Sequence, residues 1–309
     1  MDPGLDGDKG VTISVPEIEA PSGESPGRRL SSFLFRHPRL RVGLLLTPPL
    51  SWLVLAYLGS LALLFVAAFW RLDPFTSQVV HDYGFQNFQQ LWESDVYRRI
   101  TLRTIGIAAA VTVTDVLLAF PIAFYMAKVA SRRTRNLLVV AVLLPLWASY
   151  LVKVYAWRVI LQENGILNWA LEPFGLSGPG FGNVATWLVF TYLWLPFMIL
   201  PIYAGLERIP NSLLEASADL GGRSLHTFVR VILPLVFPAA VAGSIFTFSL
   251  TLGDYIAPGL ITSEQFIGTV IYSIRGQALP LAAAYTFVPI AIMVLYLFVA
   301  RKLGAFENL

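Results

Sequence analysis

The sequence predicts an all-α, polytopic membrane protein with about six transmembrane helices. Three observations predict it: 56% of the 309 residues are hydrophobic, only 13% are charged, and the mean hydropathy is +0.66. A soluble domain carries about a quarter charged residues. Mostly apolar windows of the length needed to cross a bilayer, about 20 residues, fall near residues 43–69, 104–127, 137–158, 184–206, 236–257 and 280–300.

The distribution of Lys and Arg predicts that both termini lie in the cytoplasm. With that orientation, fifteen of the 22 basic residues flank spans on the inner side, six lie outside, and Lys153 falls within a span. An excess of basic residues is typical of cytoplasmic loops. The net charge of +3 thus reflects orientation in the lipid bilayer. No nucleic-acid partner is expected, because the basic residues are not interleaved with an aromatic platform.

The transmembrane domain is predicted over residues 43–302, and two segments of different composition precede it. Residues 1–27 are rich in Pro, Gly, Asp and Glu without apolar periodicity, which predicts a disordered acidic cytoplasmic tail. Residues 28–42 form a basic juxtamembrane segment, interpreted as a positive-inside anchor, with binding to anionic lipid as the alternative. Residues 303–309 form a short C-terminal tail. No cleavable signal peptide is evident, so the first span is expected to direct its own insertion.

A polar segment at residues 207–234 separates the fourth and fifth spans and carries helix start and stop signals. Ser212, with Glu215 three residues later, predicts a capping box at the start of a short helix. Gly221 and Gly222 predict its end. This helix, on the order of 13 Å long, is too short to cross a bilayer but long enough to fill a groove on another protein.

A second short helix is predicted to follow the two glycines. Ser224 is expected to cap it, and its apolar residues lie on one stripe. Pro234 is expected to limit its extension, since proline lacks a backbone donor and clashes with the preceding turn. The 207–234 loop is therefore predicted to be a helix, a glycine elbow and a second helix.

The sequence lacks the motifs of common enzymes and metal sites, so this chain is interpreted as a non-enzyme. It has no GxxxxGK[ST] phosphate-binding motif, and ATP hydrolysis is not expected of it. It has no Cys, and His37, His81 and His226 have no metal-ligand spacing. No Ser, His and Asp set converges at one membrane depth, which disfavours a membrane hydrolase. Any energy must come from a partner.

Two ionisable residues, Asp115 and Lys153, fall inside predicted spans. A charge at a helix centre costs about 2.5–3.5 kcal/mol on insertion scales, so each needs an explanation. At about 1.5 Å per residue, their depths are roughly 21 and 24 Å from the cytoplasmic face, which predicts similar heights on consecutive antiparallel helices. Two interpretations stay open: an internal ion pair, or, for Asp115, a place on a substrate path.

Asp254 lies near the outer end of the fifth span, next to Tyr255. A carboxylate beside a tyrosine at an outer mouth suits a cation, and an ordinary interfacial polar residue is the alternative. Aromatic residues, including Trp147 and Tyr150, cluster in the third and fourth spans. They either line a path, where cation–π contacts are worth about 1–2 kcal/mol each, or serve in helix packing and the membrane interface.

The 207–234 loop resembles the EAA loop of ABC transporter permease subunits. Glu215, Ala216, Gly221 and the pair at 233–234 stand at the spacing of that loop, while Ser217 replaces a second alanine and Val231 an isoleucine. In that family the loop grips the ATPase subunit. The resemblance thus implies an ATPase-coupling site made of Glu215, Ala216, Ser217, Asp219, Gly221 and Gly222.

Three further stretches, at residues 121–128, 149–168 and 251–261, resemble the first permease subunit of spermidine and putrescine importers. With the loop, the resemblance covers most of residues 43–302. It implies the type I ABC importer permease fold in a bacterial inner membrane and transport by alternating access. The implied partners are a homologous second permease subunit, two cytoplasmic ATPase subunits and an external substrate-binding protein. ATP and Mg would bind the ATPase, with no cofactor on this chain.

The sequence leaves the substrate open. Asp115, Asp254 and Glu264 suit a polyamine, whereas Lys153 and Arg158 point towards an organic anion unless they are paired or lie at a rim. A passive channel or scaffold is the competing class. It predicts that the 207–234 loop has no nucleotide-dependent partner.

Overall fold

The structure, a computed structural model, describes residues 35, 37–73 and 75–302. The predicted acidic tail (1–27), residues 28–34 and 36 of the predicted juxtamembrane segment and the C-terminal tail (303–309) lie outside the described residues. The chain divides between Ala62 and Leu63 into two units. The first unit contains most of the first long helix, and the second contains all the other elements.

The long helices carry the apolar windows, and shorter elements connect them. In chain order the helices are α1 (Pro38–Ala67), α2 (Gln86–Glu93), α3 (Asp95–Val129), α4 (Arg132–Trp147), α5 (Tyr150–Ile160), α6 (Ile166–Leu171), α7 (Asn183–Glu207), α8 (Asn211–Asp219), α9 (Ser224–Gly253), α10 (Ile256–Ile261), α11 (Ile267–Ile274) and α12 (Leu279–Lys302). A small antiparallel hairpin, β1 (Arg71–Leu72) and β2 (Val79–Val80), lies between α1 and α2.

The predicted all-α fold with about six spans is confirmed, with one change in the third span. Helices α1, α3, α7, α9 and α12 are each long and apolar enough to cross a membrane. The third window, 137–158, instead falls on α4 and α5, which meet at a bend of 93°. The backbone at Ala148 and Ser149 is extended. No charged residue or glycine marks this break, so hydropathy averaging passes over it.

The fifth span also differs from the prediction, because α9 begins inside the 207–234 loop. It starts at Ser224, twelve residues before the predicted window, and ends at Gly253. Pro234 does not limit the helix. It stands in the first turn after a π-helical turn, Phe228–Ile232, where the missing N–H and the ring are tolerated. The predicted second short helix is therefore the first part of a continuous span.

Helices α3, α7 and α9 pack together and form the core of the second unit. Towards the loop end, small residues of α3 such as Ala119 and Ala123 are buried with Met198 and Ile202 of α7 and Val236 of α9. At the other end, a second cluster joins α3, α5, α7 and α10. Small residues at such contacts allow helix backbones to approach closely within a membrane.

Gly205 of α7 illustrates this close approach and gives a test of it. A Cβ at Gly205 would lie 2.7 Å from the Cβ of Ala239 in α9. Gly205→Ala is therefore expected to destabilise the protein by about 1–3 kcal/mol through overpacking, measured as a lower midpoint of thermal unfolding in detergent. Gly106→Ala is the matched control. It adds the same methyl group to α3 with nothing within 4 Å, and its effect is expected to be neutral or stabilising.

The double variant Gly205→Ala with Ala239→Gly removes the clashing methyl group and should recover part of the loss. Equal midpoints for Gly205→Ala and Gly106→Ala would contradict close packing of α7 against α9.

Candidate functional site

The first helix of the 207–234 loop, α8, is present but starts differently from the prediction. It begins at Asn211 after Pro210, whose backbone is extended, and no side chain caps it. Ser212 therefore lies within the first turn, and the predicted capping box with Glu215 is wrong. The physical reason is that Pro210 fixes the entry of the chain into the helix two residues earlier than the Ser–Glu spacing suggests.

The glycine elbow (residues 220–222) ends α8 as the sequence predicts. Gly221 has φ +77°, a left-handed conformation that side chains other than Gly and Asn rarely adopt. The Gly221 N–H donates to Ala218 O at 2.9 Å, and the Gly222 N–H donates to Ser217 O at 2.8 Å. These bonds satisfy carbonyl groups at the end of α8, so the direction of the chain after it is fixed.

A hydroxyl contact holds α8 against the start of α9. The Ser217 and Thr227 hydroxyl oxygens lie 2.8 Å apart. A Cβ at Gly222 would lie 2.6 Å from Ser217 O, so only glycine fits beneath this contact. Ser224 makes no capping bond, because the cap position of α9 is Arg223, and the predicted Ser224 cap is wrong. Ser217, which stands where the EAA loop usually has a second alanine, therefore contacts Thr227 across the glycine elbow.

The outer surface of the loop combines charge with exposed apolar side chains. Glu215, Ala216 and Asp219 are exposed on α8. Leu220 of the elbow is 90% exposed and Leu225 of α9 is 75% exposed. Exposed leucines beside carboxylates on a rigid projection are typical of a protein docking surface.

The base of the loop is bonded to three helices through basic residues that the sequence analysis missed. Lys128 at the end of α3 donates to Ile209 O at 2.6 Å, just before α8. Arg135 of α4 donates to Met126 O at 3.1 Å and contacts Glu207 of α7 at 3.4 Å. These residues entered the prediction only as topology markers. The signal for Lys128 was its place in the last turn of α3, where basic side chains bond free carbonyls. Arg135 bonds the same helix end from the first turn of α4, and no sequence signal marks that contact.

Asp115 of α3 is fully buried, and neither carboxylate oxygen has a hydrogen-bond partner within the described residues. Lys153 lies on α5, half-buried, and no ion pair joins it to Asp115. Of the two interpretations that the sequence left open, the internal ion pair is therefore wrong. Its depth argument assumed a straight third span, whereas α5 leaves the direction of α4 at the 93° bend.

Asp254 follows the last residue of α9 and joins three elements. Its Oδ1 accepts hydrogen bonds from the backbone N–H of Ile256 at 2.7 Å and of Ala257 at 3.1 Å. Its other oxygen, Oδ2, accepts from the Tyr150 hydroxyl at the start of α5. The carboxylate thus caps α10 and holds the broken helix pair at its bend. These bonds favour an anchoring role over a free carboxylate at an outer mouth.

The other aromatic candidates lie in different surroundings. Tyr150 stacks on Trp194 of α7 with ring centroids 6.0 Å apart. Tyr255 stacks on Tyr272 at 4.5 Å, and the Arg275 guanidinium already covers that second ring at 3.5 Å. Trp147, at the end of α4, is 89% exposed. The structure therefore bonds Tyr150 to Asp254, while the ring of the neighbouring Tyr255 packs on Tyr272. It brings neither Asp115 nor Trp147 into this group. Within the described ranges, no group of three or more His, Asp or Glu side chains is placed to bind a metal.

Comparison with known proteins identifies the family. A family model described as "Binding-protein-dependent transport system inner membrane component" matches residues 119–305. The Inner membrane ABC transporter permease protein YdcU of Escherichia coli K12 is 44% identical over 94% of this chain and 98% of its own length. The Spermidine/putrescine transport system permease protein PotB of Haemophilus influenzae is 30% identical over 84% of this chain and 92% of its own length.

Solved structures share the fold. A bacterial alginate ABC transporter, in complex with an alginate pentasaccharide-bound periplasmic protein, contains a chain with a TM-score of 0.70 at 19% identity, covering 89% of this chain and 98% of that one. A bacterial ABC transporter that imports alginate gives a TM-score of 0.62, also at 19% identity, over 89% of this chain and 99% of that one. The chain therefore belongs to the binding-protein-dependent transport system inner membrane components, and it is a multi-pass permease subunit of an ABC importer.

Proposed function

We propose that this permease subunit forms half of the path for a polyamine such as spermidine or putrescine, driven by a separate ATPase that docks on the 207–234 loop. The observation that carries the proposal is the rigid, exposed projection formed by α8 and the glycine elbow. Its side chains at Glu215, Ala216 and Asp219 are exposed, and its base is bonded to α3 by Lys128. A force applied to α8 would therefore reach the core helices.

The coupling works through shape, and no covalent chemistry is asked of this chain. Closure of an ATPase dimer on bound ATP and Mg would press on α8. The elbow residues Gly221 and Gly222 keep α8 at a fixed angle to α9, so the push would move α9 with it. The expected consequence is alternating access, in which the path opens towards the outside to receive substrate and then resets after hydrolysis.

Two lines of support favour a polyamine as the substrate: the printed name of a relative, and buried side chains of a kind that binds organic cations. PotB of Haemophilus influenzae is named as a spermidine/putrescine permease. The buried carboxylate of Asp115 and the stacked aromatic pair Tyr150 and Trp194 are groups that favour an organic cation. An organic anion is the second candidate, because Lys153 is half-buried on α5 and has no ion pair in the described part of the chain.

The proposed assembly contains this chain, a homologous second permease subunit, two cytoplasmic ATPase subunits and an external substrate-binding protein. The orientation that puts the 207–234 loop on the ATPase side also puts both termini in the cytoplasm of a bacterium, with the spans in its inner membrane. Fifteen basic residues against six support that orientation.

The test is ATPase activity of the complete complex in proteoliposomes, with the binding protein empty or loaded with spermidine or putrescine. We expect the loaded protein to stimulate hydrolysis, and Glu215→Ala to reduce the stimulation by about tenfold, which corresponds to ~1.4 kcal/mol of coupling. Alanine keeps the helix intact because its helix propensity is high. Glu163→Ala removes an exposed carboxylate outside the loop and is the control, with no effect expected.

Stimulation by an anionic solute alone would keep the importer and replace the polyamine. If the ATPase does not copurify with the unmodified permease, the coupling proposal is wrong.

A further inference from the structure

Asp115 is the carboxylate that the packing of this chain leaves unexplained. It lies in the middle of α3 with no exposed surface, and both of its oxygens lack a hydrogen-bond partner within the described residues. Water cannot reach it, and the nearest predicted counter-ion, Lys153, does not pair with it. An ionised carboxylate buried in this way carries a large free-energy cost. Such a group in a membrane span usually marks a substrate or ion path.

Two polar side chains on α7 are likewise buried without a hydrogen-bond partner in the described part of the chain. The atoms concerned are Thr191 Oγ1 and Trp194 Nε1. Val111, one turn before Asp115 on the same face of α3, packs in one cluster with Trp194. Unsatisfied polar groups therefore occur on both α3 and α7, two helices that pack against each other. Groups of this kind normally find partners, and a polar ligand that enters when the helices separate would supply them.

The contact of α3 with α9 sets the depth of Asp115 along the two helices. The Thr247 hydroxyl of α9 donates to Thr112 Oγ1 of α3 at 3.4 Å. Since the two helices run in opposite directions, Asp115 and Ser244 both lie one turn further towards the 207–234 loop. Asp254 lies ten residues beyond Ser244 at the far end of α9, so Asp115 is about 15 Å deeper than the anchored carboxylate. It is thus the carboxylate that a cation would meet inside the path.

We propose that Asp115 binds an ammonium group of the transported solute in the conformation in which the packing of α3 against α7 opens, and that the packing described here is the closed end state. This inference rests on the proposed function and adds to it a specificity-determining residue. The cost of burying the carboxyl group without a hydrogen-bond partner disfavours the closed packing, and a cation that reaches Asp115 favours the open one. Substrate binding and opening are then linked through the same side chain.

The first test measures whether position 115 becomes accessible. The chain has no cysteine, so Asp115→Cys introduces its only thiol. The complex with its partner subunits is treated with a cationic methanethiosulfonate, without nucleotide and after trapping with ATP and vanadate, and the mass of this chain reports modification. We expect the labelling rates in the two states to differ by about tenfold or more. Ala108→Cys, buried on the same helix, is the control and should stay unreactive in both states.

The second test measures whether the charge is used. Asp115→Asn is expected to raise the KM for transported putrescine by about tenfold or more, while the midpoint of thermal unfolding stays the same or rises. Asp115→Glu should recover part of the loss. An unchanged KM, equal labelling in the two states, or equal labelling of Asp115→Cys and Ala108→Cys overturns the role of Asp115, even if the unmodified complex transports putrescine.

The same transport measurements test the polyamine assignment separately from the role of Asp115. If the unmodified complex transports a different organic cation with a KM that depends on Asp115, the inference about Asp115 stands and the polyamine assignment fails. Transport of anions alone overturns both.

Discussion

Gly221→Val is expected to reduce ATP-driven transport by the complete complex by about tenfold or more. Gly221 has φ +77°, and a left-handed backbone costs an ordinary side chain roughly 1–2 kcal/mol, with β-branched residues at the high end. A Cβ at this position would meet nothing within 4 Å, so the effect comes from the backbone and involves no clash. A cost of ~1.4 kcal/mol corresponds to a factor of about ten in rate or affinity.

The loss of transport should be smallest for the side chains that adopt a left-handed backbone most readily. Gly221→Asn is expected to retain most transport, Gly221→Ala less, and Gly221→Val least, because Asn adopts this conformation more readily than Ala or Val. The relaxation of the elbow would release the bond from the Gly222 N–H to Ser217 O and let α8 turn away from α9. ATPase copurification should therefore fall in the same order as transport.

Gly276→Val is the matched control for the series. Gly276 lies in the connection between α11 and α12, away from the elbow, has no left-handed backbone, and a Cβ there also meets nothing within 4 Å. It should leave ATPase copurification unchanged. Wild-type transport by Gly221→Val would show that the angle between α8 and α9 plays no part in coupling.

The sequence predicts the elbow and the spans well because both depend on local properties. Glycine adopts φ +77° without a steric cost, so the Gly221–Gly222 pair predicts the end of α8 whatever the rest of the chain does. The length of an apolar window is likewise a property of the segment itself. The six-span fold could therefore be predicted, whereas the bend at Ala148 and Ser149 could not, because those residues carry no glycine, proline or charge.

The candidate site was predicted less well because its contacts join distant parts of the chain. Lys128 bonds the carbonyl of Ile209, 81 residues away, and Tyr150 bonds Asp254, 104 residues away. Side-chain type gives no indication of such partners. The prediction of similar depths for Asp115 and Lys153 failed because Lys153 lies on α5, beyond the 93° bend that ends α4. No residue type in the sequence predicts that bend.

Asp254→Ala is expected to lower both thermal stability and transport. The substitution removes the acceptor of the Ile256 and Ala257 N–H groups, which is worth about 1 kcal/mol as a cap. It also leaves the Tyr150 hydroxyl without its partner, at a further cost of about 1–3 kcal/mol. The bend between α4 and α5 would lose its tie to the end of α9. We expect transport to fall by about tenfold or more, with a lower midpoint of thermal unfolding.

Asp254→Asn separates this anchoring role from a role in binding a cation. The amide oxygen can still accept from the Ile256 and Ala257 N–H groups, and the amide nitrogen can donate to the Tyr150 oxygen. The geometry is kept while the charge is removed, so stability and transport should stay near those of the unmodified protein. Tyr150→Phe should lie between the two variants, because it removes one of the three hydrogen bonds at the carboxylate.

The two membrane carboxylates are therefore expected to respond in opposite ways to the same change. At Asp254, whose oxygens are all hydrogen-bonded, Asn should be tolerated and Ala should not. At Asp115, whose oxygens have no partner in the described residues, Asn should leave stability unchanged or raise it and still impair transport. If Asp254→Asn instead abolishes transport with an unchanged unfolding midpoint, the charge of Asp254 acts on the substrate directly, and a cation is bound at the outer end of α9 as well as at Asp115.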